Sequence, residues 1–115
     1  ARPIQPYWAK IMAAAGVFSA YLYTPAADYR ARLFSPDSGI LEDPATGSAT
    51  AILAAQLLAN GALDDGSTEI LLEQGVEMGR PSRLRLSVDV SAGRIIAVRV
   101  AGSAVRIGEG RIRIP

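Results

Sequence analysis

The chain is predicted to adopt an α+β fold, a curved and mostly antiparallel sheet wrapped around one central buried helix, with a second helix at the periphery. Three observations carry this. Residues 49–59 are apolar except for Thr50 and Gln56, and a helix apolar almost all round is enclosed on most of its sides. Residues 67–75, 83–90 and 94–101 are short, rich in β-branched or alternating residues, and joined by turn signals, the pattern of an antiparallel meander. A length of 115 residues without linkers, repeats or low-complexity stretches fits one domain, residues 1–115, with enough chain to bury a core.

In order, "PYWAKIMAAAG" (6–16) suits a short helix of good formers stopped by Gly16. "VFSAYLYT" (17–24) reads as a strand that ends at Pro25. "DYRARLFSP" (28–36) alternates, with Tyr29, Ala31 and Leu33 on one face and Arg30, Arg32 and Phe34 on the other; Asp37-Ser38-Gly39 then turns the chain. For the central helix, Asp43 is the expected N-cap and Pro44 the first helical residue, or Thr46 caps a helix that starts later. Asn60-Gly61 should end it after Ala59. "RLRLSVDV" (83–90) alternates strictly, Ser91-Ala92-Gly93 is a hairpin turn, and "RIIAVRVA" (94–101) returns. Gly102 and Gly108-Glu109-Gly110 should separate two further short strands, "AVRI" and "RIRI".

Composition narrows the chemistry. A formal net charge of +1 does not suggest nucleic acid or an anionic membrane as partner. Arg83, Arg85, Arg99, Arg106, Arg111 and Arg113 alternate with apolar residues, as on the solvent face of a sheet. With no Cys and no His, Cys/His zinc sites and Ser-His-Asp or Cys-His nucleophiles are excluded, and no metal is expected. Proton transfer would fall to Asp, Glu, Lys, Tyr, water or a group from another chain. The apolar stretches 11–23 and 49–59 are shorter than the roughly 20 residues that span a bilayer. With no secretory signal pattern at residues 1–10, a cytoplasmic protein is expected.

The best candidate site is the start of the central helix. First-turn N–H groups lack internal partners and lie at the positive end of the helix dipole. Gly47 leaves room for a ligand and Ser48 adds a hydroxyl, so a carboxylate or phosphate could dock there. Asp43 as an ordinary cap would occupy those amides; buried and protonated, it could instead exchange a proton with a bound substrate. Glu42 is expected to be a solvated loop acid. A second cluster, "EQGVEMGRPS" (73–82), has two glycines suited to positive φ or close backbone approach, and Arg80 and Ser82 could bind an anion.

"RLFSPDSGILEDPATGSATAILAAQLLANG" followed by "EQGVEMGRPSRL" resembles the C-terminal part of the PhzF-like family, the phenazine-biosynthesis isomerases and their relatives. The Glu-Asp-Pro-Ala-Thr-Gly-Ser-Ala block carries most of the specificity, and the likeness spans about residues 17–114. It implies a diaminopimelate epimerase-like fold of two halves, each a half-barrel around a central helix, with the active site between them. It also implies a cofactor-independent enzyme that moves a proton within a small carboxylated substrate. Asp43 would be the active-site acid, Thr46, Gly47 and Ser48 would bind substrate, and the loop containing Arg80 would lie nearby. Family chains are well over twice this length, and their catalytic glutamate and histidine belong to the N-terminal half. The expected partner is therefore that missing half, or a second copy of this chain in a homodimer. The alternative is a non-catalytic anion-binding or assembly module, or an inactive fragment.

Overall fold

In the computed structural model, which describes residues 1–25 and 29–114, six strands form one mixed sheet and two helices accompany it. The elements are α1 (Tyr7–Ala15), β1 (Ala20–Thr24), β2 (Tyr29–Ser35), a 3-10 turn at Pro36–Ser38, β3 (Ile40–Asp43), α2 (Gly47–Ala59), β4 (Gly66–Gln74), β5 (Ser82–Ser91) and β6 (Arg94–Gly102). The strand order is β1-β2-β4-β5-β6, with β3 also on β2. Asp28, the first residue of the expected second strand, lies outside the described residues.

The meander β4-β5-β6 follows from local chemistry. In β5, Leu84, Leu86, Val88 and Val90 are buried while Arg83 and Arg85 are exposed, so the strict alternation puts one face of the strand in the core. The exposed arginines pair across the sheet surface, Arg83 with Glu73, Arg85 with Glu69 and Arg99 with Asp89. The β5–β6 turn has positive φ at both Ala92 and Gly93, the conformation that matches strand twist in a tight hairpin. The Asp65 carboxylate accepts the N–H groups of Ala92 and Gly93 at 2.8 and 2.9 Å.

Three features differ from the expectation. The sheet is mixed, because β2 and β4 pair in parallel, Tyr29–Ala31 against Leu72–Gln74. Parallel neighbours need a crossover connection, and α2 supplies it. A short strand, β3, occupies residues for which no strand is predicted, Glu42 being expected in a loop and Asp43 as a helix cap; it runs antiparallel to β2 with Leu33 opposite Asp43. Residues 103–114 carry no strand. Their apolar side chains at Val105, Ile107, Ile112 and Ile114 are 84–95% exposed, and a two-stranded hairpin with nothing to cover it gains too little to form.

Helix α2 ends at Ala59 with Asn60 as its C-cap, but within this chain the sheet covers only one side of it. Thr50, Leu53, Ala54 and Leu57 are buried against Ala31, Leu63, Leu72 and the inward residues of β5. Ser48, Ile52, Ala55 and Ala59 form an exposed stripe, the i, i+4, i+7, i+11 spacing of one helix face. Enclosure on most sides is thus corrected to enclosure on one. Peripheral α1 buries Met12, and its Trp8 ring meets Phe34 edge-on at 6.4 Å.

These two faces of α2 should respond differently to truncation. Leu57→Ala, at a site 2% exposed, is expected to cost about 2–5 kcal/mol in urea unfolding. Ile52→Ala, at a site 73% exposed, should stay within about 0.5 kcal/mol of the parent.

Candidate functional site

Strand β2 acts as a ruler for the site. Along one of its edges β4 runs parallel and ends with Gln74 opposite Ala31, while β3 runs antiparallel and ends with Asp43 opposite Leu33. The C-terminal ends of β3 and β4 therefore meet almost head-on, two β2 residues apart, and both chains must turn away there. Pro44 makes the first turn, since it has no N–H for the ladder and keeps Asp43 extended.

The outer face of β2 clamps both ends. Arg32 makes a bidentate pair with Glu42, Nε to Oε1 and Nη2 to Oε2, both at 2.8 Å, and its guanidinium lies 4.8 Å above the Phe34 ring centre. Arg30 reaches Glu77 at 3.1 Å and Glu73 at 3.8 Å. Glu42 is thus a largely buried strand residue held by an arginine, a correction to the expected solvated loop acid. The Arg32 hydrogen bonds hold its carboxyl below the ordinary carboxylate range, burial opposing them only in part.

The helix cap also differs from the first expectation. Thr46 is the N-cap and α2 begins at Gly47, so Asp43 is the last residue of β3 and Pro44 precedes the helix. The later start, with Thr46 as cap, is the alternative that holds. Thr46 makes no side-chain cap hydrogen bond, because its hydroxyl donates to Asp43 Oδ2 at 2.5 Å, the short distance typical of a hydroxyl on a carboxylate. The residue best suited to cover the first-turn amides is therefore directed away from them. Among the described residues, the Gly47 and Ser48 N–H groups have no protein acceptor, and both residues are exposed. A Cβ on Gly47 would find nothing closer than Val100 Cγ1 at 4.0 Å, so packing does not require glycine there.

Beneath the turn lies a polar cluster. Gln74, fully buried, donates from Nε2 to the Asp43 carbonyl and to Thr46 Oγ1, both at 2.8 Å. Its Oε1 accepts the Thr46 N–H at 3.2 Å. Thr50, also fully buried, donates to the Thr46 carbonyl at 2.8 Å and meets the Tyr21 hydroxyl at 2.9 Å. Burial pushes the Tyr21 phenol above its ordinary range. Next to Gln74, Gly75 has φ +77°, and a Cβ there would come within 2.9 Å of Pro44 Cα and O and collide with the Arg80 carbonyl. Here glycine is obligatory. Both glycines of this loop, Gly75 and Gly79, take positive φ, and the Arg80 N–H closes onto the Gly75 carbonyl at 2.9 Å.

Asp43, Thr46, Gly47 and Ser48 are thus assembled at one point, and the backbone of Arg80 is packed against the same turn while its side chain is exposed. Beside Ala45, a cavity of about 480 Å³ is bordered by Glu73, Ser82, Arg83 and Ser103. Among the described residues no three His, Cys, Asp or Glu side chains could hold a metal ion, and no helix is long and apolar enough to cross a membrane. Sequence reasoning missed Gln74, Thr50 and the hydroxyl of Tyr21. Signals were present: Gln74 lies on the Ile70–Leu72 side of an alternating strand, and Thr50 is one of two polar residues in an apolar helix.

Fold and site together define an α+β protein with an open helix N-terminus beside a carboxylate. The Phenazine biosynthesis-like protein family matches residues 5–110, and the chain belongs to it. Over 83 residues, 72% of this chain, it is 42% identical to 30% of the trans-2,3-dihydro-3-hydroxyanthranilate isomerase of Pseudomonas aeruginosa. It is 41% identical to an uncharacterized isomerase of Mesorhizobium japonicum, over 75% of this chain and 28% of that protein. An uncharacterized isomerase of Deinococcus radiodurans is 38% identical over 94% of this chain and 36% of its own length. The chain spans about a third of the length of the curated relatives it matches.

The Arg32–Glu42 pair gives the site a pH signature. A carboxyl whose pKa is lowered on folding adds stability above its unfolded pKa, and that stability is lost as pH falls through the folded value. Glu42→Gln should cost on the order of 1–3 kcal/mol at neutral pH. In denaturant titrations its deficit should close as pH drops below about 4, the ordinary carboxylate range.

Proposed function

We propose that this chain supplies one half of the active site of a cofactor-independent isomerase that moves a proton within a small carboxylated substrate. The observation that carries the reading is the juxtaposition of the Asp43 carboxylate with the uncovered first-turn N–H groups of Gly47 and Ser48. The amides and the Ser48 hydroxyl bind the substrate carboxylate, favoured by the helix dipole. Asp43 exchanges a proton with the substrate as general acid or base, Thr46 holds it, and the Arg80 guanidinium adds positive charge at the rim. In this reading the second proton-transfer group comes from outside this chain. It belongs to a complementary half in a diaminopimelate epimerase-like pair, or to a second copy in a homodimer, and that partner covers the Ile52 stripe of α2. The relatives' names support an isomerase, and one names a carboxylated substrate.

The test is deuterium incorporation from deuterated water into trans-2,3-dihydro-3-hydroxyanthranilate, or its product, by a family-length protein carrying this segment. Asp43→Asn is expected to lower incorporation by roughly 100-fold or more, the usual contribution of a positioned acid or base. Equal incorporation by parent and variant would contradict the role given to Asp43.

A further inference from the structure

The hydrogen bonds under the turn have a direction, and it is set by groups that have no choice. The Asp43 carbonyl can only accept, so the Gln74 group facing it at 2.8 Å must be Nε2. The Thr46 N–H can only donate, so the group facing it at 3.2 Å must be Oε1. The orientation of the amide is thereby decided at both ends by backbone. Nε2 has a second hydrogen, and its acceptor is Thr46 Oγ1 at 2.8 Å. A hydroxyl that accepts there keeps its own hydrogen free, and the remaining partner is Asp43 Oδ2 at 2.5 Å.

We infer that Gln74 is a positioning residue: by donating to Thr46 Oγ1 it makes that hydroxyl a permanent donor to Asp43 Oδ2, and leaves Oδ1 as the oxygen that meets substrate. The inference rests on the proposed role of Asp43 as the proton-transfer group. A packing role alone would need only a side chain of this size at position 74. The directing role needs a donor aimed at Thr46, which glutamine has and ionised glutamate lacks. Tyr21 and Thr50 complete the arrangement. Since the Thr50 hydroxyl donates to the Thr46 carbonyl at 2.8 Å, the Tyr21 hydroxyl donates to Thr50 at 2.9 Å. Gln74 Oε1 lies 3.4 Å from the Tyr21 hydroxyl, so no donor in the cluster competes for Asp43.

Gln74→Glu keeps the shape and reverses the direction, and NMR of the 115-residue chain without ligand reads it. In the parent, the Thr46 hydroxyl proton should exchange slowly and couple through the hydrogen bond to the Asp43 carboxyl carbon, with both Gln74 side-chain protons protected. In Gln74→Glu, the hydroxyl should turn to the introduced carboxylate and the coupling to Asp43 should vanish, while the Leu72 and Leu86 amides keep their shifts. Persistence of the coupling in the variant, at a pH where the carboxyl carbon shift of the introduced side chain shows it ionised, overturns the inference. So does a parent spectrum in which the Thr46 hydroxyl points away from Asp43 or the Gln74 amide is reversed. If the variant does not fold, the parent spectrum alone decides. Full deuterium incorporation by Asp43→Asn would remove the catalytic reading without altering these couplings, so the two failures are told apart.

Discussion

The side-chain amide of Gln74 touches the last residue of β3 and the cap residue of α2 at once, and the geometry of the site depends on that bridge. Inside the protein an unmet carbonyl or N–H costs roughly 1–3 kcal/mol, and the Asp43–Thr46 turn presents one of each to the fully buried Gln74 side chain. A primary amide is matched to this need, since it offers two donors and an acceptor on one planar group. The backbone of Gly75 then fits against Pro44 where no Cβ could pass. The turn is held from inside by a side chain and from outside by the lack of one.

This bridge can form only because β2 brings two strand ends together. Its parallel partner β4 and antiparallel partner β3 share one edge and stop two residues apart, while Arg30 and Arg32 hold both ends from the outer face. The ion pairs are partly buried and cross-linked through Glu77, so they constrain the turn more firmly than an isolated surface pair would. The outcome is an uncommon division of labour at a helix start. Thr46 occupies the cap position, its hydroxyl serves Asp43, and the first-turn amides face outward.

Legibility in the sequence followed the range of the interaction. The hairpins of β4, β5 and β6 and the end of α2 depend on turn residues and alternation within a few positions, and they lie within a residue of the bounds read at 67–75, 83–90, 94–101 and Asn60-Gly61. The β2–β4 pairing joins segments some forty residues apart and leaves no local mark, so it was not legible, and neither was β3, four residues long with no alternation. The block from Asp43 to Ser48 could be picked out as a candidate site, but not the identity of the cap, because Asp43 and Thr46 are both good cap residues. What decided between them was Gln74, a residue 28 positions from Thr46. The segment 103–114 shows the reverse case. Its alternation is strand-like, yet a strand needs a neighbour to pair with and a surface to cover.

The proposed function requires the first turn of α2 to be an open anion site beside Asp43. The most direct measurement is a titration of the isotopically labelled chain with anthranilate, followed at the backbone amides. Saturable shifts centred on Gly47 and Ser48, absent with a neutral amide of the same ring, are predicted. Shifts that are absent from these two amides, or equally large with the neutral compound, would contradict it.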